Sequence, residues 1–260
     1  DPRRLGPLVI LPKDLLRHLL AVVGEAVLVE GPDHVRDADL SIDGDVTLAG
    51  NGRFIFEDSN PATIAATNAG DKLTIGPDQT VTTKPTGFNG PGQGIIAADL
   101  INEGTIEADA GVIELTGTVE NRSTTTLGAR NGGTLQVANT LTGAGTVEAG
   151  ESSTVEISNA GDAIDNTFTG PGELLFKEDT MTVTGLVDTT GEVQVGDGPD
   201  SLGDDTFDAD VTFNQPLTGN ADFTVDSDDS TATLAAGGSE VGAIENLGSL
   251  ELAGSATATG

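Results

Sequence analysis

The chain contains no cysteine, no tryptophan and no tyrosine, and only 11 of its 260 residues are lysine or arginine. Without cysteine there can be no disulfide, no thiolate nucleophile and no cysteine-based zinc site. The shortage of cations is as telling, because 42 acids leave a formal net charge of -31. A binder of DNA or RNA backbones needs Lys and Arg to displace condensed counterions, so nucleic acid is not expected as a partner. Long apolar runs are missing too: the most apolar stretch, Leu15 to Val29, is interrupted by Arg17, His18, Gly24 and Glu25. Membrane insertion through a spanning helix is therefore not expected.

What the chain does have is glycine, threonine and regularly spaced aliphatic residues. There are 36 Gly and 34 Thr, and β-branched residues recur in short alternating runs, which favours strands over helices. Residues 1–39 differ from the rest and read as an N-terminal helix and cap. Pro12 suits a first helical position, Asp14 favours the positive end, and Leu15, Leu16, Leu19, Val23 and Val27 approximate one helical stripe. This predicts a short helix from Pro12 to Val23, stopped at Gly24, with a strand from Ala26 to Glu30. Its expected role is to cover the open end of a strand-built core.

Residues 40–260 read as one repeating unit. Gly104-Thr-Ile-Glu-Ala, Gly111-Val-Ile-Glu-Leu, Gly117-Thr-Val-Glu-Asn, Gly133-Thr-Leu-Gln-Val, Gly145-Thr-Val-Glu-Ala and Ser153-Thr-Val-Glu-Ile share a period of two, so one face points to a core and the other to water. Ile106, Leu127 and Val147 stand 21 and 20 residues apart, and Ile113, Leu135 and Val155 stand 22 and 20 apart. Two interleaved series with one period describe a coil of about 20 residues, each with two or three short strands that stack on the next coil. Gly, Asn and Asp at the corners tolerate left-handed backbone. A β-sandwich would also use frequent turns, but these strands are too short and too uniform for one. About ten rungs at the strand spacing of about 4.8 Å give a rod roughly 50 Å long.

The segments Gly132-Gly-Thr-Leu-Gln-Val and Leu141-Thr-Gly-Ala-Gly-Thr, with Leu100 to Asn121 before them, resemble the degenerate repeats of filamentous-haemagglutinin and autotransporter-passenger β-helices. The resemblance is good from about 95 to 158, weaker from 170 to 260 and absent before 40. It implies an all-β, right-handed parallel β-helix that is extracellular, on a cell surface or on a virion. It supplies no ligand and no active site, and the same repeat style occurs in viral fibres and spikes.

Residues capable of chemistry are sparse. Carboxylates are so abundant that pairs arise by chance and do not by themselves indicate glycoside hydrolysis. Phe54 and Phe56 share a parity, and Phe168, Phe176, Phe207, Phe213 and Phe223 fit rung interiors, which points to core stacking rather than a sugar platform. His18 and His34 both lie in the cap region. No Ser-centred elbow, phosphate loop or His-containing metal motif is present, so the chain is expected not to be an enzyme.

Calcium is the one cofactor the sequence suggests. Gly196-Asp-Gly-Pro-Asp-Ser-Leu202 matches most of a calcium-binding nonapeptide in which Asp and backbone carbonyls of neighbouring turns supply oxygens. Asp197, Asp200, Asp204 and Asp205 are the candidate ligands, and a solvated acidic face is the simpler account of them. Asn121-Arg-Ser123 is a glycosylation sequon. The 26 Asp, 16 Glu and four Lys suit a protein kept soluble in concentrated salt, hence a halophilic source and lower stability in dilute salt. The functional expectation is a non-enzymatic structural or adhesive rod for attachment to a cell-surface glycan or protein receptor, assembled as a homo-oligomer or larger array. Alternatives are a virion tail fibre or spike that binds or cleaves host glycan, and a subunit of a self-assembling surface filament.

Overall fold

The structure is a computed structural model. It describes residues 9–10, 20–23, 26–28, 32–35, 40–85, 90–158, 163–177, 180–196, 209–225, 230–246, 248–253 and 256–258, those before 40 by their backbone alone. Every regular element among the described residues is a β-strand, and every strand pairing is parallel. The chain forms a parallel β-solenoid with three strands per coil. A central coil runs Asp99–Asn102 on face one, Thr105–Asp109 on face two and Val112–Leu115 on face three.

Each face is built by stacking equivalent strands. Face three is a single sheet of eleven strands, and face two is a sheet of nine. Face one is a seven-stranded sheet ending at Leu141–Thr142, beside which a five-stranded sheet begins at Ala163–Ile164. A final two-stranded sheet pairs Ser239–Val241 with Ala256–Ala258. Because the coils stack parallel and in register, a residue type that points inward in one coil points inward in the next.

The core consists of these inward columns. Ile106, Leu127, Val147, Phe168, Val187 and Leu217 are register partners in turn, and all are buried. Ile113, Leu135, Val155, Leu174, Val193 and Phe223 do the same on face three. A third column on face one runs Leu73, Leu100, Val119 and Leu141. Each such side chain contributes roughly 1.5–3 kcal/mol by leaving water, which offsets the ordering of a glycine-rich backbone.

Aromatic rings widen the core where aliphatic columns alone would leave space. Phe54 and Phe56 meet edge to face at 5.3 Å. Gly94, the register neighbour of Ala62 on face three, makes room for this pair: a Cβ there would lie 2.3 Å from the Phe56 ring. Further along, Phe168, Phe176, Phe213 and Phe223 form an edge-to-face chain with centroid spacings of 5.5, 5.6 and 6.0 Å. Phe207 lies outside the described residues.

Two expectations are corrected. Leu20–Val23, the last turn of the predicted helix, is a strand paired in parallel with Leu40–Asp43. Tertiary pairing overrides the leucine stripe there, and Val22 and Val23 are residues that favour strands; residues 11–19 lie outside the described residues. The predicted strand after it is present as Ala26–Leu28. The coil length of about 20 residues holds in the centre and again towards both ends, as in Leu20 to Leu40 and Val211 to Ala232, but two stretches between exceed it. Ala62 pairs with Gly94, 32 residues on, and Glu192 with Asp222, 30 residues on. The extra residues leave at corners while strand register is kept, since a one-residue slip would turn every side chain over.

Candidate functional site

The densest side-chain chemistry among the described residues lies on face two and its corner with face three. Glu107 and Asp109 sit on the strand Thr105–Asp109, and Arg130 closes the next strand, Thr126–Arg130. The Arg130 guanidinium reaches back one coil, with Nη1 2.9 Å from the Glu107 carboxylate and Nη2 2.9 Å from Asp109 Oδ2. Asn131 Nδ2 donates to the other Asp109 oxygen at 2.8 Å. The Asp109 backbone N–H donates to Thr83 Oγ1 at 2.7 Å, which ties a third coil into the group.

The two carboxylates respond in opposite ways. Burial pushes the Asp109 carboxyl up, but hydrogen bonds from Asn131 and Arg130, with the guanidinium charges of Arg130 and Arg53, hold it below the usual range. Burial lifts Glu107 above the usual range: Arg130 opposes this, while the Asp109 and Glu148 charges reinforce it. The difference lies in hydrogen bonds to the ionised form, which Asp109 has in greater number. Between Glu107 and Glu148 in the outward row stands Gly128, buried by what surrounds it.

Arg130 is one instance of a rule. Lys84 pairs with Glu57, Arg122 with Glu103, Arg130 with Glu107 and Asp109, and Lys177 with Glu156. Arg122 also holds Glu120 of its own coil at 2.9 Å, but in each of the pairs above the cation belongs to the later coil and grips an acid of the coil before it. These are struts along the rod axis. Beyond Lys177 the sequence holds 17 acids and no Lys or Arg, so no such strut can form between its coils. Carboxylates there accept from neutral donors instead: Thr224 Oγ1 to Glu192 at 2.9 Å, Thr218 Oγ1 to Asp188 at 3.0 Å, and the Ala243 N–H to Asp222 at 2.9 Å.

A second polar device is internal. Asn102 and Asn121, register partners on face one, are both fully buried. Asn102 Nδ2 donates to Asn121 Oδ1 at 2.9 Å and Asn121 Nδ2 donates to the Thr146 carbonyl at 3.1 Å, while Thr125 Oγ1 donates to Asn121 Oδ1 at 2.7 Å. The ladder satisfies corner carbonyls that leave the strand pairing. It also closes the sequon, since the Asn121 amide is committed inside the fold. Asn166 is buried as well, and its Nδ2 donates to the Gly145 carbonyl at 3.3 Å, yet its Oδ1 has no partner among the described residues.

The outer faces present ranks of short polar side chains. On face two, Thr80, Thr105, Thr126, Thr146 and Thr167 follow one another in register, each half-buried. Such a rank offers a donor and an acceptor at every coil, about 4.8 Å apart. This is a surface that can hydrogen-bond a long ligand but does not gather groups around one reacting atom.

The candidate calcium ligands Asp197, Asp200, Asp204 and Asp205 lie outside the described residues, as does His18; His34 is on the strand Pro32–Val35, paired with Ile55. Among the described residues no group of three His, Cys, Asp or Glu is arranged to hold a metal ion. Sequence reasoning missed the struts and the Asn ladder. Their signal was there: Glu103 to Arg122 and Asn102 to Asn121 are each one coil of 19 residues apart.

The fold defines the class of this molecule: a parallel β-solenoid with an anionic, hydroxyl-rich exterior. Compared with family models, with curated proteins and with solved structures, the chain finds no match in any of the three.

Proposed function

We propose that this chain is a rigid rod segment, displayed extracellularly on a cell or virion surface, that spaces and attaches rather than turning over a substrate. The observation that carries this reading is the unbroken parallel stack of face three, eleven strands long, which makes a stiff body of about 50 Å at the strand spacing. The repeats that resemble filamentous-haemagglutinin and autotransporter passengers support an exported location. The threonine rank supports recognition of a hydroxyl-rich polymer, so a surface glycan is the favoured partner and a protein receptor the other. The charge of -31 supports a salt-rich habitat, where counterions screen a uniformly acidic exterior.

The test is to incubate the protein with surface polysaccharide of co-occurring cells and measure both retention and chain length. Retention of polysaccharide at unchanged length supports attachment. Shortened products would replace this reading with an enzymatic one, and absence of retention on both glycan and whole cells would remove attachment from the proposal.

A further inference from the structure

Two Asn-Gly steps lie within the described residues, Asn51-Gly52 and Asn131-Gly132, and the fold treats them differently. This dipeptide is chemically labile because glycine has no side chain to hinder its own amide nitrogen, which can attack the carboxamide carbon of the preceding asparagine. At Asn131 both reacting groups are held. Its Nδ2 donates to Asp109 Oδ1 at 2.8 Å, and the Gly132 N–H donates to Ser153 Oγ at 3.0 Å. The next amide, Gly133 N–H, donates to the Arg130 carbonyl at 2.9 Å and closes the turn.

Asn51 has none of these restraints. It is exposed at the corner between faces one and two, and among the described residues no hydrogen bond holds its carboxamide or the Gly52 N–H. Its side chain lines an open groove of about 450 Å³ with Thr47, Pro77, Asp78 and Glu103, where water has access. We infer that Asn51 is a site of spontaneous covalent modification, converted through a succinimide to aspartate and isoaspartate, while the same dipeptide at Asn131 is protected by Asp109 and Ser153.

The step balances without a further reagent except water. The Gly52 nitrogen bonds to Asn51 Cγ and gives up its proton, and the bond from Cγ to the carboxamide nitrogen breaks to release ammonia. Water then opens the ring at either carbonyl. Both products add one negative charge to a groove that already holds Asp78 and Glu103. The isoaspartate product also lengthens the main chain just before Gly52, whose carbonyl accepts the Thr80 N–H of the next coil at 3.3 Å. Conversion thus marks the age of a rod at one inter-coil junction.

The experiment is peptide mass mapping of the full chain after prolonged incubation at mildly alkaline pH, folded in molar salt and, in parallel, unfolded in urea. In urea both steps should convert at similar rates, since the dipeptides are the same. In the folded chain Asn51 should lose its amide while Asn131 keeps it, and Ser153→Ala should let Asn131 convert. Equal conversion of the two in the folded chain, or an Asn51 as durable as Asn131, overturns the inference. Protection of Asn131 that survives Ser153→Ala overturns the role given to Ser153.

Discussion

The coils up to Lys177 and the coils after it share one architecture and are held by different forces. The first region carries all 11 cations, and those seen to pair tie one coil to the coil before it. The second has 17 acids and no cation, and its coils meet through aliphatic columns, Phe213 and Phe223, and neutral donors to carboxylates. The strand register is the same kind in both, which teaches that backbone pairing and inward columns suffice to define the solenoid. Charge decides how firmly neighbouring coils hold at a given ionic strength. In a repeat architecture, where each coil contacts only its neighbours, such a difference produces local melting rather than a uniform change.

The largest expected effect comes from the ring chain that crosses between the regions. Phe176 and Phe213 meet edge to face at 5.6 Å across the boundary, both fully buried. Phe213→Ala should cost about 3–5 kcal/mol and should split thermal unfolding into two steps, followed by circular dichroism, with the later coils melting first. A single transition shifted as a whole would show that the regions are not separable.

Next is the internal ladder of the first region. Asn121→Leu takes one of two acceptors from the Asn102 amide, which keeps the Thr126 carbonyl at 3.2 Å, and removes the side-chain donor of the Thr146 carbonyl, and should cost about 1–3 kcal/mol. Asn166→Leu gives up a single, longer hydrogen bond and removes an oxygen that had no partner among the described residues, so its chemical denaturation midpoint should move less. The reverse order would mean that the Asn121 network is not what holds that corner.

The acid pair on Arg130 gives a smaller contrast with a pH signature. Asp109 is held below its unfolded value, so its contribution is present above the unfolded pKa of about 3.9 and is lost as pH falls through the lower folded value. Asp109→Asn should cost about 1–3 kcal/mol at neutral pH, and the difference from wild type should close in acid. Glu107 is shifted upward, so its charge opposes folding until pH falls through its raised folded value. Glu107→Gln should therefore cost less than Asp109→Asn at neutral pH; equal costs would show that Arg130 uses the two carboxylates alike.

The smallest effect comes from building a strut where the chain has none. Thr224 Oγ1 already reaches Glu192 of the preceding coil. Thr224→Arg places a guanidinium there and should add about 0.2–1 kcal/mol, more in dilute than in concentrated salt. No gain in dilute salt would weaken the electrostatic account of the second region.

Much of this fold is legible in the chain. The series Ile106, Leu127, Val147 and Ile113, Leu135, Val155 are adjacent in register as their spacing requires. A period of two within a period of about 20 leaves few other ways to bury those residues. Face one is fainter because its strands are shorter, Val119–Asn121 and Leu141–Thr142 among them. The long coils are hidden because an insertion at a corner changes spacing without changing register. At Leu20–Val23 local propensity pointed to a helix, and a partner strand distant in sequence decided otherwise. The struts were illegible for a different reason: with 42 acids, the five that reach Lys84, Arg122 and Lys177 from the coil before or share Arg130 look like all the others until the coils are stacked.

Native-state hydrogen exchange at residue resolution, in dilute and in molar salt, tests the contrast most directly. The screening length contracts from about 30 Å at low ionic strength to about 3 Å at 1 M. The account predicts that amides of Asp210–Phe213 and Thr231–Leu234 lose protection in dilute salt, while those of Thr126–Arg130 and Thr134–Val137 keep it. Equal loss in both groups, or protection in the second region that is indifferent to salt, would contradict it.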